Sequence, residues 1–341
     1  MNFAMSHIRN FPLMWFLILN FGITWLVWLS VPSVMGSDWT QQKLMIAAGF
    51  GPAPAALVVS YAQGHTVAFN SKRWWYWFLS VFIILIAINS SSVVHGDGIN
   101  AEAFIQSSPA MVDSKVAIML FVSSFIVAFV VASVVCNSSR NLNSLAVLST
   151  KKRYLLIALL LPMIWSLLSI ATSILTDSPV TWINTGDLDS MVWLGYVIRS
   201  VLFTLFVVAI GEEVGWRGWL QPHLQEKFSP LLTTVLIGIV WGLWHWPLYV
   251  IGQYPGEPTL VFVKVGLCIF LGIFFTWLYN RSGGNLLLMV LLHTALNNTN
   301  RVLPMTPSAG AYLVLFIVIM IVVDKMWRRQ GTGGAQLIAQ E

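Results

Sequence analysis

The segment Gly211–Leu220 reads Gly-Glu-Glu-Val-Gly-Trp-Arg-Gly-Trp-Leu, and it lies between two apolar runs, Val201–Ile210 and one that begins at Leu231. It places Glu212, Glu213 and Arg217 in or beside hydrocarbon-spanning sequence. Ionisable groups are costly there, and they commonly mark a functional site. The segment therefore predicts a helical membrane protein that carries out chemistry within the membrane.

The composition of the chain is that of an integral membrane protein. Of its 341 residues, 57% are hydrophobic and 9% are charged, and the mean hydropathy is +0.77. Soluble domains carry about 25% charged residues. The apolar runs exceed the roughly ten-residue strands of outer-membrane barrels, and helices satisfy their own backbone groups in lipid. We therefore predict an all-α, polytopic transmembrane bundle of about 8–10 spans, each needing about 20 apolar residues. The candidate spans are 12–34, 44–62, 74–90, 116–136, 154–176, 191–210, 231–251, 260–280, 285–299 and 309–325.

The charges and cysteines exclude several other classes of protein. The net charge is +5, but the basic residues lie at the ends of apolar runs, so they indicate membrane topology and not a nucleic-acid site. This pattern predicts that both termini are cytoplasmic, and short loops favour a bacterial inner membrane. Cys136 and Cys268 have no partner motif, so neither a disulfide framework nor a cysteine metal site is expected. The first apolar run is interpreted as a retained span.

The candidate chemistry is confined to the second half of the chain. We predict N-terminal transmembrane helices of unknown role over 1–150 and the functional core over 151–328. The Gly-rich stretch at 329–341 is predicted to be a disordered tail.

Glu212, Glu213 and Arg217 form the first polar group. On a helix, Glu213 and Arg217 are four residues apart and share a face, whereas Glu212 points about 100° away. A carboxylate in this setting can act as a general base. The alternative is a structural ion pair on an interfacial amphipathic helix.

The second and third polar groups are single side chains within apolar spans. His245 lies in Trp-Gly-Leu-Trp-His-Trp-Pro, and it is either a catalytic residue or a hydrogen-bonded packing residue. His293 and Asn297 are four residues apart, so both can donate hydrogen bonds to one oxygen, as an oxyanion hole requires. The alternative is an interhelical polar clamp. Asn298 or Asn300 can replace Asn297 in this role.

At these residues the chain resembles the CPBP family of CAAX-processing and bacteriocin-processing membrane proteases, also called the Abi family. The family motif Glu-Glu-x-x-x-Arg matches Glu212, Glu213 and Arg217, and His-x-x-x-Asn matches His293 and Asn297. The motif Phe-x-x-x-His is present with tryptophan as its aromatic residue, at 241–245. Three motifs in this order cover roughly 190–300.

The resemblance implies a membrane-embedded endopeptidase, for which we expect no cofactor, with zinc as the alternative. Glu212 would activate a water with help from His245, His293 and Asn297 would stabilise the oxyanion, and Glu213 with Arg217 would shape the site. Family substrates imply a membrane-associated peptide or protein, with CAAX processing or bacteriocin processing and immunity as the options, and no nucleic acid.

Elimination favours the same reaction class, because the chain lacks His-Glu-x-x-His, Gly-x-Ser-x-Gly and a cysteine near the polar groups. A zinc-dependent protease remains an alternative, since two histidines and a glutamate can bind zinc. A non-catalytic transporter or immunity scaffold is the third option.

The predicted depths of the polar groups conflict. With a sixth span that ends at 210, Glu212 lies at the inner surface while His245 lies about 20 Å deep. A sixth span over 199–220 narrows this gap. It is the preferred placement, and it implies a hydrated cavity that opens to the cytoplasm.

Overall fold

The structure, a computed structural model, describes residues 3–35, 50–95, 114–146, 151–182 and 190–329. These ranges are helical, and the one strand-like pairing within them is a single bridge between Val67 and Asn137. The predicted all-α fold is confirmed. The helices are α1 Phe3–Asn10, α2 Pro12–Met35, α3 Pro52–Ala62, α4 Lys72–His95, α5 Ser114–Val135, α6 Arg140–Asn143, α7 Lys152–Leu175, α8 Ser190–Phe203, α9 Ile210–Gly215, α10 Gln221–Gln225, α11 Pro230–Trp244, α12 Trp246–Val250, α13 Val261–Arg281, α14 Leu286–Thr299 and α15 Ala309–Val323.

Membrane-spanning character is evident in the described part of the chain. Five stretches there are long and apolar enough to cross a bilayer, so the protein is an integral membrane protein. They are Pro12–Ser33, Lys152–Leu175, Trp193–Gln225, Pro230–Val250 and Pro258–Arg281. Shorter apolar helices cover Pro52–Ala62, Phe121–Val135, Leu286–Thr299 and Ala309–Val323.

Most predicted spans coincide with these helices, and the sixth requires a correction. The predicted end at 210 is wrong, because the helical stretch Trp193–Gln225 continues for another 15 residues. Glu212 and Glu213 suggested a membrane surface, but both side chains are buried within the fold. The preferred span 199–220 lies inside this stretch. Of the predicted span 44–62, only 50–62 lies within the described residues.

The chain forms two compact units that alternate along the sequence. The first contains the described residues of Met1–Asn143, Thr185–Gly215 and Pro247–Glu257. The second contains those of Ser144–Asn184, Trp216–Trp246 and Pro258–Glu341. The division into 1–150 and 151–328 stays a prediction, and the predicted tail lies outside the described residues apart from Arg329.

Glycines allow close helix packing in the first unit. The helix α3 packs against α2 and α9. A Cβ added at Gly215 would lie 2.4 Å from the Cβ of Pro52, and one added at Gly211 would lie 2.9 Å from the Cβ of Phe50. The two glycines flank Glu212 and Glu213, so this contact fixes the helix that carries the acids.

The second unit uses the same device between α11 and α13. A Cβ at Gly238 would lie 2.7 Å from the Cα of Ile269, and one at Gly242 would lie 2.4 Å from the Cα of Val265. Because 238 faces 269 and 242 faces 265, the two helices are antiparallel and nearly in backbone contact. Small residues permit such an approach within membranes.

Candidate active site

The acidic residues lie on α9, between two π-helical segments, Thr204–Ala209 and Trp216–Leu220. Short π-helical segments are rare and frequently occur at functional sites. They change the rotation of the helix, and therefore the direction in which the following side chains project. Glu212 and Glu213 are both buried in the structure. This burial does not agree with a solvated interfacial helix.

Arg217 lies in the second π-helical segment and is 1% exposed. Its Cζ lies 4.6 Å from the ring centroid of Trp241 and 4.1 Å from that of Phe275. The guanidinium therefore contacts two aromatic rings. Such cation–π contacts contribute about 2 kcal/mol or more when desolvated. The position of the charge is thereby fixed within the second unit.

His245 lies at a break between α11 and α12. Its backbone N–H donates to the carbonyl of Gly242 at 3.2 Å, so the carbonyl of Trp241 loses its usual helical donor. Pro247 explains the break, because its ring disfavours helix in the preceding residues. The imidazole takes the vacated position, with Nδ1 2.7 Å from the oxygen of Trp241.

This contact determines the tautomer of the neutral His245 ring. A carbonyl oxygen only accepts hydrogen bonds, so Nδ1 carries the proton and donates it. The other nitrogen, Nε2, then has a lone pair that can accept a hydrogen bond from water. The helix break thus produces a buried, oriented acceptor.

His293 projects from α14 and is buried. Its ring centroid lies 5.9 Å from that of Trp241 and 5.8 Å from that of Phe275, both with edge-to-face geometry. The rings of Trp241 and Phe275 are perpendicular to each other, with centroids 5.9 Å apart. We call this pair of rings the aromatic corner. It contacts both Arg217 and His293.

The two asparagines after His293 differ in their environment. Asn297 is exposed, whereas Asn298 is buried and its Nδ2 donates to the carbonyl of Thr294 at 2.9 Å. The amide of Asn298 is therefore engaged on its own helix. Asn297 has the side chain that is accessible to a molecule outside the helix.

The second unit therefore brings together Arg217, His245 and His293, three of the six predicted site residues. Trp241 contacts all three, since its ring also lies 6.2 Å from that of His245. Glu212 and Glu213 lie in the first unit. Within the described residues, no group of three or more His, Cys, Asp or Glu side chains is placed to hold a metal ion.

Sequence reasoning missed two contributors to this cluster. Phe275 lies on α13, outside every motif, and nothing in the sequence distinguishes it from the adjacent Phe274. Gly242 brings α11 against Val265 and so positions His245 three residues later. The spacing of Gly238 and Gly242 is the signal that could have revealed this contact.

The fold and the site define a class: a polytopic helical membrane protein with ionisable side chains buried inside its apolar helices. Residues 193–299 match the model of the family described as type II CAAX prenyl endopeptidase, Rce1-like. The matched range contains all six predicted site residues, and the resemblance to the CPBP family is confirmed.

A curated protein shows the same similarity over a longer range. The chain is 33% identical over 131 residues to a protein named CAAX prenyl protease 2 from Methanococcus maripaludis. The alignment covers 36% of this chain and 48% of that relative. The chain thus spans about half the length of the curated relative that it matches.

Proposed function

We propose that this protein is a membrane-embedded endopeptidase that cleaves membrane-associated peptides or proteins with a water activated by Glu212. One observation carries the proposal most strongly. The segment that matches the endopeptidase family contains Arg217, His245 and His293, and these side chains cluster on the aromatic corner, buried within the fold.

Each step of peptide hydrolysis has a candidate group. Glu212 removes a proton from water, and the water oxygen attacks the scissile carbonyl. His245 holds this water through Nε2, because its Nδ1 is committed to the carbonyl of Trp241. The proton then passes from Glu212 to the departing amine, which completes the cleavage.

The developing oxyanion needs hydrogen-bond donors in fixed positions. His293 and Asn297 fill this role in the proposal. The aromatic corner contacts the ring of His293, and Asn297 is an exposed residue one turn further along the same helix. Arg217 and Glu213 supply opposite charges four residues apart on one helical stretch, and they stabilise the site without taking part in proton transfer.

The substrate and the orientation belong to the same proposal. The names of the matched family and of the relative favour a CAAX-type C-terminal peptide, and bacteriocin processing or immunity is the second option. The distribution of basic residues supports a cytoplasmic location for both termini, and the short loops support a bacterial inner membrane. The site then opens toward the cytoplasm.

The experiment uses the purified full-length chain in proteoliposomes. Internally quenched peptides with a C-terminal CAAX sequence, prenylated and unprenylated, report cleavage. The wild type is expected to cleave at least one of them, and His293→Ala is expected to lose this activity. His223→Ala is the matched control, because it also removes a histidine ring, but one that lies outside the three motifs. His223 stacks on Trp219, on the same helical stretch as Arg217. Equal losses in the two variants would contradict the proposed role of His293.

Treatment with metal chelators distinguishes the glutamate mechanism from its zinc-dependent alternative. We expect cleavage to persist after dialysis against EDTA and 1,10-phenanthroline, with substoichiometric zinc by elemental analysis. Loss of activity that stoichiometric zinc restores would replace the general-base assignment with a metal mechanism. Binding of the peptides by every variant, with cleavage by none, would favour a non-catalytic scaffold.

A further inference from the structure

Phe275 is buried on α13, on a helix that carries none of the three motifs, and it is 1% exposed. Its aromatic and cationic neighbours are candidate site residues. The ring contacts the guanidinium of Arg217, the imidazole of His293 and the indole of Trp241. One apolar side chain thus joins the first and third motifs.

The geometry of these contacts is directional. The Cζ of Arg217 lies 4.1 Å from the ring centroid of Phe275, which is closer than its 4.6 Å to Trp241. A cation is attracted to the face of an aromatic ring, and two rings prefer an edge-to-face or offset-stacked arrangement. An aliphatic side chain of similar volume has no such face. The ring therefore restricts the orientation of two polar neighbours in a way that volume alone does not.

The preceding residue provides a natural comparison. Phe274 is 2% exposed, and its ring contacts are with Trp165 at 6.3 Å and Phe316 at 6.5 Å. The two phenylalanines are adjacent, similarly buried and on the same helix. One packs in the interior of the second unit, and the other packs against the candidate site.

We propose that Phe275 is a positioning residue for the proteolytic site, because its ring holds the Arg217 guanidinium and the His293 imidazole in their working orientations. This inference rests on the proposed function for its catalytic consequence. The orienting role itself is independent of activity, and it has its own readout.

The kinetic test compares Phe275→Leu with Phe274→Leu. Both variants remove a buried ring and keep an aliphatic side chain, so both are expected to lower thermal stability to a similar extent. Phe275→Leu is expected to lower kcat by about tenfold or more with KM within about twofold of wild type, since a misplacement of about 1 Å can cost on the order of 100-fold. Phe274→Leu is expected to keep kcat within about threefold.

A double-mutant cycle isolates the contact with the cation. Arg217→Lys and Phe275→Leu are measured singly and together. If the ring acts through the guanidinium, the combined loss in kcat is smaller than the product of the two single losses. A multiplicative combination would overturn the coupling between Phe275 and Arg217.

The orienting role is read without any substrate by labelling His293. Diethyl pyrocarbonate modifies accessible imidazoles, and mass spectrometry of the tryptic peptide 282–301, in which His293 is the one histidine, gives the rate at this position. His293 is buried, so it is expected to react slowly in the wild type. Phe275→Leu is expected to accelerate the reaction several-fold, and Phe274→Leu is expected to leave it unchanged.

The outcomes separate the inference from the proposed function. If the wild type cleaves no peptide, the protease proposal fails, and the labelling rates alone decide the role of Phe275. If the wild type cleaves and the two leucine variants match in kcat and in labelling, the inference is overturned while the protease proposal stands. Phe275→Met replaces Phe275→Leu if the latter does not fold, with Phe274→Met as its control.

Discussion

Gly242→Ala tests the helix contact that positions His245. A Cβ at this position would lie 2.4 Å from the Cα of Val265, a backbone atom that cannot rotate away. Packed carbon atoms lie about 3.5–4.0 Å apart, so α11 and α13 must separate by roughly 1 Å or more. Overpacking of this kind costs about 1–3 kcal/mol, and the higher helix propensity of alanine offsets about 1 kcal/mol.

The control is Gly266→Ala on α13, where an added Cβ meets no atom within 4 Å. This variant gains helix propensity without a clash, so it is expected to be as stable as wild type or more stable by up to about 1 kcal/mol. Gly272→Ala is intermediate, because its Cβ would lie 3.0 Å from the Cγ2 of Thr234, which is at the end of a side chain. Gly266→Ala is therefore predicted to be the most stable of the three variants, Gly272→Ala intermediate and Gly242→Ala the least stable.

The assay is thermal unfolding in detergent with a fluorogenic maleimide. Cys268 is buried in the second unit and Cys136 is half-buried in the first, so each thiol is expected to react faster when its own unit opens, and mass spectrometry of the labelled peptides separates the two sites. We expect Gly242→Ala to lower the apparent Tm by about 5 °C. Cleavage should fall on the order of 100-fold, because His245 follows the displaced residue by three positions. Equal Tm values for Gly242→Ala and Gly266→Ala would refute the close approach of the two helices.

Further predictions concern the first unit and the third motif. Gly215→Ala should lower the free energy of unfolding by about 1–3 kcal/mol, because its Cβ would lie 2.4 Å from the Cβ of Pro52. Gly195→Ala is the control and should leave stability unchanged, because its Cβ would meet no atom within 4 Å. The maleimide assay checks both variants. Asn297→Ala should lower kcat about 100-fold with little change in Tm, as loss of an oxyanion donor does. Asn298→Ala should lower Tm with little change in kcat, because the buried amide of Asn298 donates a hydrogen bond within its own helix. Parallel measurement of kcat and Tm would contradict the assignment if Asn297→Ala lowered Tm and Asn298→Ala lowered kcat.

The sequence predicts the helical membrane fold because apolar runs of about 20 residues leave helices as the main solution in lipid. It also predicts Arg217, His245 and His293 as site residues, since polar groups within such runs are rare, and the structure brings these three side chains together around Trp241. Because all three side chains contact Trp241, a single site can account for the three motifs. The matched family segment at 193–299 lies where the motifs predicted it.

Other features of the site follow only from the three-dimensional structure. The first placement of the sixth span ends too early, at 210, because the two glutamates resemble a membrane surface. The depth of His245 already favours a span over 199–220, and the structure extends the helical stretch to Gln225 with Glu212 and Glu213 buried. Asn297 and Asn298 project about 100° apart around α14. Which of them is buried depends on the exact rotation of the helix, and the sequence does not give that rotation. Phe275 is one of 20 phenylalanines, and its role comes from neighbours that are distant in sequence.

The central claim is that a buried carboxylate activates water, and Glu212→Gln tests it most directly. Glutamine has nearly the same shape as glutamate but cannot accept the proton, so cleavage of the quenched peptide should fall by about 100-fold to 10,000-fold. The maleimide assay should show a folded protein. Glu226→Gln is the matched control, because Glu226 is exposed just after α10 and should be dispensable. Glu213→Gln should give a milder loss. Full cleavage by a folded Glu212→Gln variant would contradict the account.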